Sequence, residues 1–155
     1  MDWYLLTKTI HIVSGTILFG TGLGTAFFLF MANRSDSIET IRVTVRHVVL
    51  ADWLFTAPTV VIQPITGVIL MQQLGFPFDS GWFLRVAALY LLAGACWIPV
   101  VWIQYRLRNL ANAASSTDRL PASWQSLFRI WRTLGYVALA CILAIYYLMV
   151  FKPGI

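Results

Sequence analysis

Residues 48–71 read VVLADWLFTAPTVVIQPITGVILM, an apolar run in which Asp52 is the sole charge. A helix that crosses a bilayer needs about 20 mostly apolar residues, at about 1.5 Å of rise each. This stretch is long enough and apolar enough to be one. Three more runs of the same kind follow on either side: Leu5 to Met31, Trp82 to Gln104 and Leu134 to Phe151. Working outward from each run, helices are predicted over about 5–31, 44–71, 82–112 and 124–151. The expected fold is all-α, a polytopic integral membrane four-helix bundle, with residues 1–155 as a single transmembrane domain.

Composition points the same way. The chain is 59% apolar and 11% charged, with a mean hydropathy of +0.77, outside the range of a soluble domain. Its net charge of +5 gathers at the helix ends. Arg34, Arg42 and Arg46 lie between the first two spans, and Arg106, Arg108, Arg119, Arg129 and Arg132 between the last two. Only Lys8, Arg85 and Lys152 lie elsewhere. By the positive-inside rule this predicts a bacterial-type inner (plasma) membrane protein with both termini outside the cytoplasm. The basic and aromatic mixture around Trp124, Leu127, Phe128 and Trp131 suits a membrane surface, so the expected partner is the lipid bilayer and no nucleic acid. Ser123 is the expected cap of a helix starting near Trp124, after a small polar turn at Ala113 to Asp118.

The first run starts with Asp2, is too long for a signal peptide and has no small-residue cleavage site after it, so it is expected to stay as a helix. Cys96 and Cys141 lie inside spans without metal-type spacing and read as packing residues.

In the second span Asp52, Thr56, Thr59, Gln63 and Thr66 recur in steps of four and three, which is one face of a helix. Unpaired polar groups are costly in lipid, so this stripe is predicted to face the bundle interior. Pro58 and Pro64 interrupt the backbone ladder beside it. Two readings are open: a polar pocket or proton path ending at Asp52, or interhelical bonding with Asp52 paired to an arginine.

In the first span His11, Gly15 and Gly22 fall on one narrow face, with Lys8 at its edge. The imidazole thus borders a strip free of bulky side chains, suited to a flat ligand such as a porphyrin. The opposing reading is a histidine that only bonds a neighbouring helix. Gly20 and Gly24, on the opposite face, form a GxxxG pair expected at a close helix contact. His47 belongs to the other end of the bundle, roughly 30 Å from His11, so the two cannot share a haem iron. Depths coincide elsewhere: Arg85 lies roughly 5 Å inside Trp82, His11 roughly 9 Å inside Leu5 and Gln63 roughly 12 Å inside Met71. Tyr146 and Tyr147 reach a similar level, whereas Asp52 and Gln104 belong to the inner half.

The segments WYLLTKTIHI (3–12), TAP (56–58) with Gly67, GWFLR (81–85) and VFKP (150–153) together resemble the HemJ-type protoporphyrinogen oxidases. Residues 63–67 (QPITG) and 97–99 (WIP) further resemble a sister family of predicted integral membrane proteins without assigned function. The resemblance covers all four spans. It implies a haem b-binding role for His11 through the haem iron, and a redox or porphyrin-related reaction. Where that family carries a lysine early in its third helix, this chain has Arg85, which stays charged and suits a propionate rather than proton transfer.

The leading expectation is therefore a HemJ-like membrane oxidoreductase. It would hold haem b with His11, Arg85, Lys8, Gln63, Gly15 and Gly22, beside a porphyrin or quinone-type electron partner. A small permease or transport accessory using the Asp52 to Thr66 stripe, and a structural subunit, are the alternatives. Assembly as a homo-oligomer is open.

Overall fold

The computed structural model describes residues 2–35, 37–115 and 120–152. Asp36, Ser116, Thr117, Asp118, Arg119 and Pro153, which figure in the sequence reading, lie outside the described residues.

Helix α1 (Trp3–Asn33) starts where Asp2 accepts the backbone N–H groups of Tyr4 and Leu5, at 3.0 and 3.3 Å. The second span is composite: α2 (Ile38–Ala51), a π-helical turn (Asp52–Thr56) and α3 (Ala57–Leu74). It ends at Gly75, whose φ of 68° is the left-handed conformation that glycine adopts without steric cost. Ser80 then caps α4 (Gly81–Ala113), and α5 (Ala122–Phe151) completes the chain. All four spans are long and apolar enough to cross a membrane, and no strand occurs among the described residues. The protein is an all-helical four-span membrane bundle.

Two local expectations are corrected. The second span starts at Ile38 rather than near 44, because Ile38, Ile41, Val45 and Val48 form a buried stripe hidden in sequence by the charges between them. Arg42, paired with Glu39, also donates to the Ala111 and Ala114 carbonyls at the end of α4. That contact ties the early turns of α2 to the bundle. Likewise Ser123 is not a cap. The extended backbone at Pro121 starts α5 earlier, with the Trp124 N–H on the Pro121 carbonyl at 2.9 Å.

Packing divides the bundle into two cores. α4 runs along α5, α1 along α3, and α2 touches both α1 and α4. At the arginine-rich end Leu29, Val45, Leu107 and Trp124 are fully buried, with Phe128 and Trp131 beside them. At the opposite end Met71, Trp82, Val86 and Leu148 form a smaller core, and the Trp82 indole donates to the Leu148 carbonyl at 2.7 Å. Large apolar residues such as Leu91, Ile98 and Val150 point outward, as lipid contact demands. Cys96 and Cys141 are buried free thiols. Gly20 and Gly24 have no heavy atom within 4 Å of an added Cβ, so the GxxxG pair makes no close contact within the chain.

Candidate functional site: a mid-membrane cavity and the His11 cluster

Between the two cores the bundle borders a partly open cavity of about 350 Å³. It has room because three helices place glycines in its wall. Gly22 on α1, Gly94 on α4 and Gly135 on α5 all line it, and a Cβ added to any of them meets nothing within 4 Å. A mostly apolar hollow of this size with few polar groups is the usual form of a small-molecule site.

Its polar groups converge from three helices. Asp52 is buried and accepts the Thr56 hydroxyl at 2.9 Å, and the Gln104 amide of α4 lies beside the same carboxyl. The Tyr90 hydroxyl is spent on the Val60 carbonyl at 2.5 Å. The indole N–H groups of Trp97 and Trp131 are buried without an acceptor, and both residues line the cavity. A buried donor without a partner costs about 1–3 kcal/mol, and two such donors belong to residues of the cavity wall.

The π-helical turn positions this cluster. Pro58 has no N–H and its ring crowds the carbonyl one turn back, so the ladder loosens before it. The Ala57 N–H bonds the Asp52 carbonyl instead. Asp52 and Thr56 are thereby buried while Trp53, Leu54 and Phe55 face outward. Such π-turns recur at functional sites.

His11 sits elsewhere, on the α1–α3 contact toward the terminal end. Its Nδ1 is 2.8 Å from the Thr66 Oγ1, and that hydroxyl also donates to the Ile62 carbonyl at 2.7 Å. A hydroxyl has one proton to give. When Thr66 spends it on the Ile62 carbonyl, the imidazole donates from Nδ1 and Nε2 carries the lone pair. Gln63 donates to the His11 carbonyl at 2.9 Å, and the imidazole passes over Gly67, whose added Cβ would lie 3.5 Å from Cε1.

The predicted residues thus separate into groups. His11, Gln63, Thr66 and Gly15 meet at the α1–α3 contact, while Gly22, Asp52 and Thr56 line the cavity with Gln104. Gly22 lies about 16 Å along the helix from His11. Thr59, also buried, donates back to Phe55 and Thr56. Lys8 lies over the Tyr4 ring, and Arg85 donates to the Gly81 carbonyl; neither lines the cavity. Gly15 is no open strip, since an added Cβ would sit 2.6 Å from the Gln63 Nε2 and 3.6 Å from the Tyr146 hydroxyl. Gly15→Ala is expected to push the Gln63 amide off the His11 carbonyl and cost about 1–3 kcal/mol, read as a lower thermal midpoint. An unchanged midpoint would show that the amide moves aside freely.

Sequence reading passed over Trp97, Trp131, Gly94 and Gly135 as site residues. Gly94 and Trp97 are close to one helical turn apart on α4, and so are Trp131 and Gly135 on α5. A glycine paired with a tryptophan in two successive spans was the available signal.

The fold defines a polytopic membrane protein whose helices border an apolar cavity. The chain belongs to the predicted integral membrane protein family DUF2269, which matches it over residues 5–153. Searches of curated proteins and of solved structures each returned no match.

Proposed function

We propose that the protein binds a lipophilic redox carrier of quinone type in the mid-membrane cavity. The observation that carries this reading is a mostly apolar hollow whose wall includes two tryptophans, Trp97 and Trp131, with acceptor-less indole N–H groups. A quinone brings what they lack: carbonyl oxygens on a flat apolar ring. The Asp52, Thr56 and Gln104 cluster supplies further hydrogen bonds at one wall and a place to hold a proton. With the arginine-rich end in the cytoplasm of a bacterial-type inner membrane, that wall belongs to the inner half of the bilayer.

Saturable uptake of a labelled short-chain naphthoquinone by the protein in lipid nanodiscs tests this. Trp131→Phe keeps the aromatic body and removes one donor, so affinity should fall about tenfold, the worth of one buried hydrogen bond. Uptake that merely follows partition into the lipid, with no saturation, would end the proposal.

A haem b reading is favoured by one further observation, the contact of His11 Nδ1 with the Thr66 hydroxyl. A second hydrogen bond at Nδ1 is how a metal-holding imidazole is commonly oriented. His11 would hold the haem iron, as the HemJ resemblance implies, and the haem would supply one-electron redox chemistry. Thr66 would fix the ring and Gln63 the helix beneath it. The transport alternative draws less support, because Thr59 and Thr66 donate to their own helix and Gln63 to α1, which leaves no continuous run of free polar groups.

A further inference from the structure

At the arginine-rich end a second pocket, about 230 Å³, opens between the last turn of α1 and the first turns of α5. Its walls are Phe30, Asn33, Arg34, Gln125, Phe128, Arg129 and Arg132. We propose that this pocket binds the phosphate group of an acidic membrane lipid.

Three guanidinium groups from two helices converge here. Among the described residues the sole ion pair is Arg42 with Glu39, and none of the three has an acidic partner there. Arginines that merely mark a helix end can spread into solvent and avoid one another. Here Arg34 is held over the Phe30 ring, 5.7 Å from its centroid, and Arg132 is half-buried. The amide of Asn33 adds a donor: its Oδ1 accepts the Trp124 indole at 2.6 Å, which leaves the NH₂ group unspent. Planar guanidinium forks match phosphate oxygens in charge and geometry.

The neighbourhood selects a lipid over a soluble anion. Phe27, one turn before Phe30 on α1, is an exposed apolar residue that an acyl chain would cover. Phe30 and Arg132 also belong to the wall of the mid-membrane cavity, so the anion site stands at its edge.

The test is thermal unfolding of the purified full chain in detergent, titrated with phosphatidylglycerol, phosphatidylcholine or inorganic phosphate. Phosphatidylglycerol should raise the midpoint saturably, with about tenfold higher apparent affinity than the zwitterionic lipid. Equal responses to the two lipids would overturn the proposal. An equal rise with inorganic phosphate would overturn the lipid assignment and leave a soluble-anion site. Arg129→Gln with Arg132→Gln should weaken the acidic-lipid response about tenfold or more. The control pair Arg106→Gln with Arg108→Gln, which normally stack on Trp102 and Tyr105, should not. Equal loss in both pairs would show diffuse surface charge rather than a site. If the first pair does not fold, Asn33→Asp keeps the acceptor for Trp124 and turns the remaining donor into an anion. It should produce the same loss, and an unchanged lipid response there would sink the idea.

Discussion

Gly94→Leu is expected to abolish saturable naphthoquinone uptake while leaving the thermal midpoint equal to or above that of the native chain. Most glycine-to-leucine changes inside a helical bundle would force overpacking and cost stability. At Gly94 the added side chain meets open cavity, with nothing within 4 Å of the Cβ. The helix itself gains, since leucine is better than glycine in a helix interior by about 0.5–1 kcal/mol. Loss of binding with retained stability is therefore the signature of a filled ligand site. Gly135→Leu, on the facing helix α5, should act alike. Uptake that persists in both variants would place the ligand elsewhere, and a large drop in midpoint would show that the hollow cannot take the side chain.

His11→Ala should eliminate any Soret absorption from protein expressed with adequate haem, whereas His47→Ala should leave it intact. The contrast follows from position. His47 is exposed on α2, at the arginine-rich end. His11 has its Nδ1 held 2.8 Å from the Thr66 hydroxyl on the α1–α3 contact. The His11 substitution is also mild for the fold, because Gln63 bonds the backbone carbonyl of residue 11 rather than its side chain. Thr66→Val, which removes the anchor but keeps the ligand, should retain a band that is weaker or shifted. A native chain with no Soret band would remove haem b from the account without touching the cavity, since His11 does not line it.

The spans were legible because bilayer physics writes them into composition: a helix in hydrocarbon must be apolar for about 20 residues, whatever surrounds it. The polar stripe of the second span was legible for the same reason, and Asp52, Thr56, Thr59 and Thr66 are all buried. The use made of each stripe residue was not legible. Periodicity assigns a face to a helix and says nothing of what lies opposite. So Gln63 and Thr66 turned out to hold α1 at His11, while Asp52 and Thr56 turned to a cavity shared with Gln104. The π-helical turn escaped notice because an apolar run looks the same whether its ladder has four-residue or five-residue spacing. Gly15 and Gly22 share a helix face and have opposite fates, one filled by the Gln63 amide and the other open.

What the sequence determined by itself was the medium, the four crossings and the inward face of the second span, each a local matter of burying polar groups away from lipid. Tertiary structure alone decided that Gly22, Gly94 and Gly135 border one hollow and that Trp97 and Trp131 stand in its wall. It also brought Arg34 and Arg132 together at the hollow's edge. An empty space belongs to no residue. It exists only where three helices withhold their side chains at the same depth, and that depends on how they pack.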